Sequence, residues 1–312
     1  MTIESTRDNL QETTPVGFEG LPKGPKLALP DVTLVCVDTA HPLLALRVVQ
    51  HCMRQIEFGA AVLITRPDHG LKVLPGLTLV TDDTIHCVAD YSRFMIRGLL
   101  PQVRTSHCLI VQWDGFVTDT TAWDPRFLEF DYIGAVWERA ASGRRVGNGG
   151  FSLRSRRLLE ALRDPDIKET HPEDFCLSNT YRELLEQRYG IRFADEATAR
   201  RFSIEGGRIR RTTFGIHRLD TLYGLLSVEQ FMQIAVQLPG PLFRGAGARH
   251  VIADAVARED GRLAFYVLRQ RRKYRRSFWS CMDLWVPVWW ACSRSMLSDL
   301  GRRRPGTSPG DA

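Results

Sequence analysis

Four groups of residues in this chain are of types that do chemistry together: a carboxylate at Asp114, paired acids at Glu173 and Asp174, a glycine pair at Gly149 and Gly150, and an imidazole at His217. Asp114 lies near the end of residues 109–116, Leu-Ile-Val-Gln-Trp-Asp-Gly-Phe, which read as a central strand covered on both faces. Ligands of open α/β sheets collect just beyond the carboxyl ends of such strands, so Asp114 is a candidate for holding a metal or a polar ligand. The same residues fit an Asp-Gly turn in which Asp114 only caps a chain reversal. Glu173 and Asp174 stand directly before a helix through Cys176, Tyr181, Leu184 and Leu185, where acids also serve as dipole complements or caps. Glycines allow a close approach of backbone to ligand, although a hairpin before a helix has the same composition. His217 closes a short extended piece, residues 213–217, and an ordinary surface imidazole is the plainer reading of it.

The elements that must position these groups follow from periodicity. Residues 32–37 form a strand, 42–55 carry helical spacing through Leu43, Leu46, Val49 and Cys52, and strands follow at 60–65 and 77–80. A helix through Tyr91, Phe94, Met95 and Leu99 stops near Pro101, and the strand from His107 comes next. This alternation predicts an α/β fold with a mostly parallel central sheet, flanking helices and right-handed crossovers. Further on, Ser155 is placed to cap a helix over 156–163. Neither a Gly-x-Gly-x-x-Gly after the first strand nor a phosphate-binding Gly-x-x-x-x-Gly-Lys-Ser/Thr occurs, which disfavours an NAD-type fingerprint and a P-loop.

Composition narrows the class further. Seven cysteines are scattered singly without a Cys-x-x-Cys pair, which argues against a zinc ribbon and a disulfide framework and fits a reducing, cytoplasmic setting. The first thirty residues are polar, rich in Pro and Gly, and carry no secretory leader pattern. Segments 1–30 and 301–312 are expected to be disordered, 31–219 to form the α/β domain, and 220–300 to form a helical extension. The net charge of +6 is uneven, because six of the eight residues 269–276 are basic and four of the seven tryptophans follow within residues 279–290. Tryptophan beside arginine suits a membrane interface, so 269–290 could lie on the inner membrane surface as a peripheral element. The alternative is an amphipathic helix packed on the protein with a solvated basic face. A true span is disfavoured by Asp283, Pro287 and Arg294, and nucleic-acid binding by the absence of any recognition fold.

Taken in order, Tyr91-Ser92-Arg93-Phe94, residues 111–116, Asp131-Tyr132-Ile133-Gly134-Ala135, residues 146–154, His171-Pro172-Glu173-Asp174 and Phe214-Gly215-Ile216-His217 resemble an uncharacterised bacterial family that looks like a branch of the GT-A glycosyltransferases. The resemblance covers about residues 31–219, and its motif order is similar to that of the fringe and β-1,3-galactosyltransferase type. It implies a Rossmann-like GT-A architecture and a nucleotide-sugar-dependent, inverting glycosyltransferase, a hexosyltransferase by class, working in cell-surface polysaccharide assembly. By the same resemblance Asp114 and His217 would hold Mn²⁺ or Mg²⁺. Asp174, or less plausibly Glu173, would deprotonate the acceptor hydroxyl, and Asn148, Gly149, Gly150 and Phe151 would line the floor between donor and acceptor. A divalent cation suits such chemistry because the nucleotide diphosphate gains negative charge as it leaves. Asp38 and Thr39, at the end of the first strand, and Arg93, Gln112 and Trp113 are further candidates for the donor. The acceptor is expected to be a saccharide or a lipid-linked sugar.

The chain differs from the family pattern in three places. Gln112 stands where a second carboxylate is expected, Asp68 is displaced from the end of the second strand, and Arg218 follows His217 where the family carries a glycine. Gln112 is also the feature that favours a different class, a catalytically silent nucleotide-sugar or glycan-binding module on the same fold.

Overall fold

The structure, a computed structural model, describes residues 26–67, 70–71, 74–138, 144–206, 212–238, 240–274, 284, 287–289 and 291–292. The displaced Asp68, both expected disordered ends apart from residues 26–30, and most of the tryptophan-rich segment lie outside these residues. The chain divides into two compact units, with the boundary between Thr221 and Leu222.

The first unit is built on a six-stranded sheet. In chain order it contains β1 (Leu27–Val37), α1 (Pro42–Gln55), β2 (Ile56–Thr65), β3 (Leu77–Thr81), α2 (Val88–Arg93), β4 (His107–Val111), β5 (Gly115–Val117) and β6 (Tyr132–Gly134). There follow β7 (Ser152–Ser155), α3 (Arg156–Ala161), α4 (Glu173–Phe175), α5 (Arg182–Tyr189), α6 (Glu196–Phe202), β8 (Ser203–Glu205) and β9 (Gly215–His217). The large sheet has the order β3-β2-β1-β4-β7-β6, with β1, β2, β3 and β4 parallel and β7 antiparallel to both β4 and β6. The fold is therefore mixed α/β with a mostly parallel central sheet, as the alternation of elements predicts.

Burial explains why the central strands read as unbroken apolar runs. Val35, Val37, Val62, Ile64, Cys108 and Ile110 share one face with Met95, Leu99, Leu158 and Leu162. The alternating residues Leu34, Cys36, Leu63 and Leu109 turn to the other face and are equally buried, where α1 packs on β1 and β2. Strand β1 starts at Leu27, which corrects the expectation that residues 27–30 belong to a disordered segment. Pro30 hid this start, and the register with β2 shifts between Leu29 and Thr33, around a residue that has no N–H to donate. Helix α3 is capped as expected, with Ser155 Oγ accepting from Leu158 N at 3.0 Å.

The strand order reverses direction between β1 and β4, and this switch point sets the site. The loops that leave the carboxyl ends of these two strands carry Asp38 and the residues 112–114. A second, three-stranded sheet of order β5-β9-β8 builds the adjoining wall, with β9 antiparallel to β5 and parallel to β8.

Helix α7 (Leu219–Leu225) crosses the division between the units. The second unit continues with α8 (Val228–Ala235), α9 (Ala246–Ala257) and α10 (Gly261–Tyr274), and α10 packs on α9 around Val251, Ile252, Leu263 and Val267. Part of the basic run ends α10. Its Arg271 is buried and donates through Nη1 to the carbonyls of Phe243, Arg244 and Gly245 at 3.0, 2.7 and 2.6 Å, so this member of the expected solvated face is a structural cap. Among the described residues no helix is long and apolar enough to cross a membrane.

Candidate active site

Asp114 reaches the site because a tight reversal ends β4. Gln112 and Gly115 exchange both backbone hydrogen bonds, at 2.7 and 3.0 Å, so residues 112–115 form the turn that launches β5. The turn reading of Asp114 holds, and the turn brings its carboxylate to one end of the small sheet, 3.7 Å from His217 Nε2. Register completes the arrangement, since Gly115 pairs with His217 across β5 and β9, and Glu205 pairs with His217 across β8 and β9. Arg218 N donates to the Asp114 carbonyl at 2.8 Å and locks the two segments together.

The imidazole of His217 is surrounded by polar groups. Its Nε2 lies 3.3 Å from Gln112 Oε1 and 3.7 Å from Asp114 Oδ1, and its Nδ1 lies 3.0 Å from Asn148 Nδ2 and 3.5 Å from Glu205 Oε1. The side chains of His217 and Asp114 are only 14% and 17% exposed. Burial and the neighbouring carboxylates of Asp38 and Glu205 raise the Asp114 carboxyl above its ordinary range, against the attraction of His217. Burial disfavours the charged imidazole, but Asp114 and Glu205 outweigh it and hold the His217 pKa above its usual value. Gln112 is anchored in turn by Tyr91, whose hydroxyl accepts from Nε2 at 3.0 Å.

The glycine pair joins this cluster to the second group of acids. A Cβ on Gly150 would stand 2.2 Å from His217 Nε2, and one on Gly149 would stand 2.4 Å from Glu173 Oε1 and 3.1 Å from the Asp174 Cβ. Tyr132 steers the segment by donating its hydroxyl to the carbonyls of Gly147 and Asn148 at 2.7 and 3.0 Å. Gly150→Ala is therefore expected to displace the imidazole while leaving the large sheet intact. The overpacking should cost about 1–3 kcal/mol in denaturant unfolding, and ligand affinity at His217 should fall by more than that loss accounts for.

The paired acids have separate fates. Glu173 is buried in an ion pair with Arg154, Oε1 to Nη2 at 3.0 Å, and Arg154 also donates to Ser152 Oγ and the Gly149 carbonyl. Asp174 is partly open, and its Oδ1 accepts from Phe175 N at 2.8 Å. Burial, then the charge of Glu173, pushes its pKa up to about 6. A carboxylate that titrates there is ionised at neutral pH yet basic enough to take a proton. The loop is held from α2, where the buried Ser92 Oγ bonds His171 Nδ1 at 2.9 Å.

Other expected residues sit differently. Phe151 does not line a floor: it is fully buried among Phe202 and Phe214 and backs the glycine pair from the core side. Arg93 is 60% exposed and paired with Asp90. Thr39 Oγ1 donates to the Ile85 carbonyl, Asp38 accepts from the backbone of Ala40 and His41, and Trp113 is partly exposed at the turn. Glu205 belongs to the cluster and was not anticipated, because the three residues of β8 carry no periodic signal. A cavity of about 410 Å³ opens at the other end of β4, around His107, Asp131, Arg157 and Arg192. It contains none of these groups, and its Arg157 is already matched to Asp131.

Residues 77–217, less than half of the chain, match the family described as "Protein of unknown function (DUF5672)". No curated protein matches the sequence. Among solved structures the chain is similar to a glycosyltransferase involved in the glycosylation of the major capsid of PBCV-1, at 12% identity and a TM-score of 0.36, covering 66% of this chain and 98% of that one. It is also similar to the glycosyltransferase GlyE of Streptococcus pneumoniae TIGR4, at 13% identity and a TM-score of 0.32, over 55% of this chain and 45% of that one. The apo form of GlyE gives 13% identity and a TM-score of 0.37, over 66% and 60% of the respective chains. These are distant similarities, and they leave the reading of the site to its own geometry.

The donor set of Asp114 Oδ1, His217 Nε2 and Gln112 Oε1 fits a hard or borderline divalent cation such as Mg²⁺ or Mn²⁺. Two ligands of one such ion stand about 3–4 Å apart for bonds of about 2.1 Å, a spacing that the 3.7 Å between Asp114 and His217 meets. Among the described residues no group of three or more His, Cys, Asp or Glu side chains forms a complete metal site. The remaining ligands would have to be oxygens of the bound molecule itself.

Proposed function

We propose that this chain is a nucleotide-sugar-dependent glycosyltransferase, metal-assisted and inverting, that moves a sugar onto a saccharide or lipid-linked acceptor. The observation that carries the reading is the division of the site by Gly149 and Gly150, with Asp114 and His217 on one side and Asp174 on the other. A transfer needs these two functions on opposite sides of the reacting carbon. Asp114, His217 and Gln112 would hold the cation, whose chemistry is to neutralise the departing diphosphate. Asp174 would take the proton of the acceptor hydroxyl as its oxygen forms the new glycosidic bond. Phe175, the next residue, is 51% exposed and offers a ring face suited to the apolar side of a sugar. Glu173 is spent in its pair with Arg154, so the base is assigned to Asp174 alone.

Nucleotide sugars carrying UDP, GDP and other bases, offered with and without Mn²⁺, test the reading by release of the nucleotide. Turnover that requires Mn²⁺ is expected with one of them, together with loss of metal-dependent nucleotide affinity in Asp114→Ala. Binding without turnover across the panel would support the silent binding module that Gln112 favours. The acceptor's cellular context, polysaccharide assembly at the inner membrane surface, belongs to the same proposal and rests on the motif order and the basic, tryptophan-rich segment.

A further inference from the structure

His217 has four polar neighbours but only two ring nitrogens, and the neighbours make incompatible demands. Asn148 Nδ2, at 3.0 Å, can only donate to Nδ1, which would put the single proton of a neutral imidazole on Nε2, facing Gln112 and Asp114. Glu205 Oε1, at 3.5 Å from the same Nδ1, can only accept, which would put the proton on Nδ1 and leave the Nε2 lone pair facing Asp114. Only the second state can ligate a cation through Nε2.

We propose that Glu205 is the positioning residue of the metal site: it accepts a hydrogen bond from Nδ1–H of His217 and so fixes the tautomer whose Nε2 lone pair, with Asp114, receives the cation. Three observations favour Glu205 over Asn148. Glu205 and His217 are register partners on parallel neighbouring strands, so their side chains rise from the same face. His217 is the partner the structure gives the Glu205 carboxylate, although Asn148, whose Oδ1 accepts from Phe151 N at 3.3 Å, aims its amide at the same Nδ1 and competes with it. A hydrogen bond to a carboxylate is about twice as strong as one between neutral groups, and ligating histidines characteristically donate their second nitrogen to such a group. The inference rests on the metal reading of the site, and its test separates the two.

The full chain, labelled with ¹⁵N-histidine and free of metal, is examined at pH 9 by long-range ¹H–¹⁵N NMR, the His217 signals being assigned by their loss in His217→Gln. Mn²⁺ affinity is measured by titration on the same samples. The proton is expected on Nδ1 in the wild type and on Nε2 in Glu205→Leu, with a Mn²⁺ dissociation constant raised about 10–100-fold. Glu205→Gln, which still accepts a hydrogen bond and preserves the strand, should retain the Nδ1 proton and recover part of the affinity. A wild type that binds Mn²⁺ with its proton on Nε2 overturns the role of Glu205, as does Glu205→Leu with tautomer and affinity unchanged. A wild type without Mn²⁺ affinity, both alone and with UDP or GDP present, overturns the metal reading itself, and with it any service of Glu205 to a metal.

Discussion

Asp174→Asn is expected to lower sugar transfer by about 10²–10⁴-fold and, at pH 8, to make the fold more stable by about 1–3 kcal/mol. Both effects come from one fact, the rise of the Asp174 pKa to about 6 by burial and by Glu173. A carboxyl that titrates higher in the folded chain than its usual value of about 3.9 binds a proton more tightly when folded. Its contribution to stability is therefore fully present below that usual value and is lost as pH rises through about 6. Asparagine is neutral at every pH and escapes the loss. Urea unfolding at pH 3.5 and pH 8 should show the two proteins converging at the lower pH and the variant ahead at the higher. The wild-type transfer rate should rise through the same window, and nucleotide binding should change little. A variant that transfers at the wild-type rate would remove Asp174 from the mechanism.

Arg154→Met carries the largest expected cost to the fold. Arg154 is fully buried and neutralises Glu173, and among the described residues its Nη1 and Glu173 Oε2 are buried without a hydrogen-bond partner. Removing the cation alone strands a buried carboxylate, for which about 3–5 kcal/mol of destabilisation is expected. Replacing both residues by apolar ones of similar volume should recover most of that loss, because neither charge then needs solvation. The double variant has a second signature. It removes both the Glu173 charge that raises the Asp174 pKa and the smaller opposing effect of Arg154, so the midpoint of the pH–rate profile should move only slightly, to below about 6. Denaturant unfolding of the four proteins of the cycle measures the first effect, and the transfer rate of the double variant against pH measures the second.

The sequence made the central sheet legible because buried parallel strands leave continuous apolar runs, and α1 was legible from the helical spacing of Leu43, Leu46, Val49 and Cys52, although the face it buries runs through Ala45, Val48, Val49 and Cys52 and leaves Leu43 exposed. Asp114, Asp174 and His217 were recognisable only as members of an ordered set of motifs, since each alone is an ordinary turn, cap or surface residue. The antiparallel placement of β7 and the three-residue strand that delivers Glu205 could not be read, because neither is long enough to establish a period. Phe151 misled, because it is an aromatic whose neighbours in the chain, but not its own ring, face the site. Arg218 has a φ of 89°, a conformation that costs a side chain about 1–3 kcal/mol and that a glycine would adopt freely, here accompanied by an ion pair to the buried Asp220 at 2.8 Å.

The small sheet that carries Glu205 and His217, and whose first strand directly follows Asp114, consists of three strands of three residues each. So short a ladder is held by few backbone hydrogen bonds and can open as a local cooperative unit while the six-stranded sheet stays closed. Amide hydrogens of β5, β8 and β9 should then exchange faster than those of β1 and β4. A ligand that bridges Asp114 and His217 would slow exchange in those three strands first, so the occupancy of the site could be followed by isotope exchange without any knowledge of the sugar.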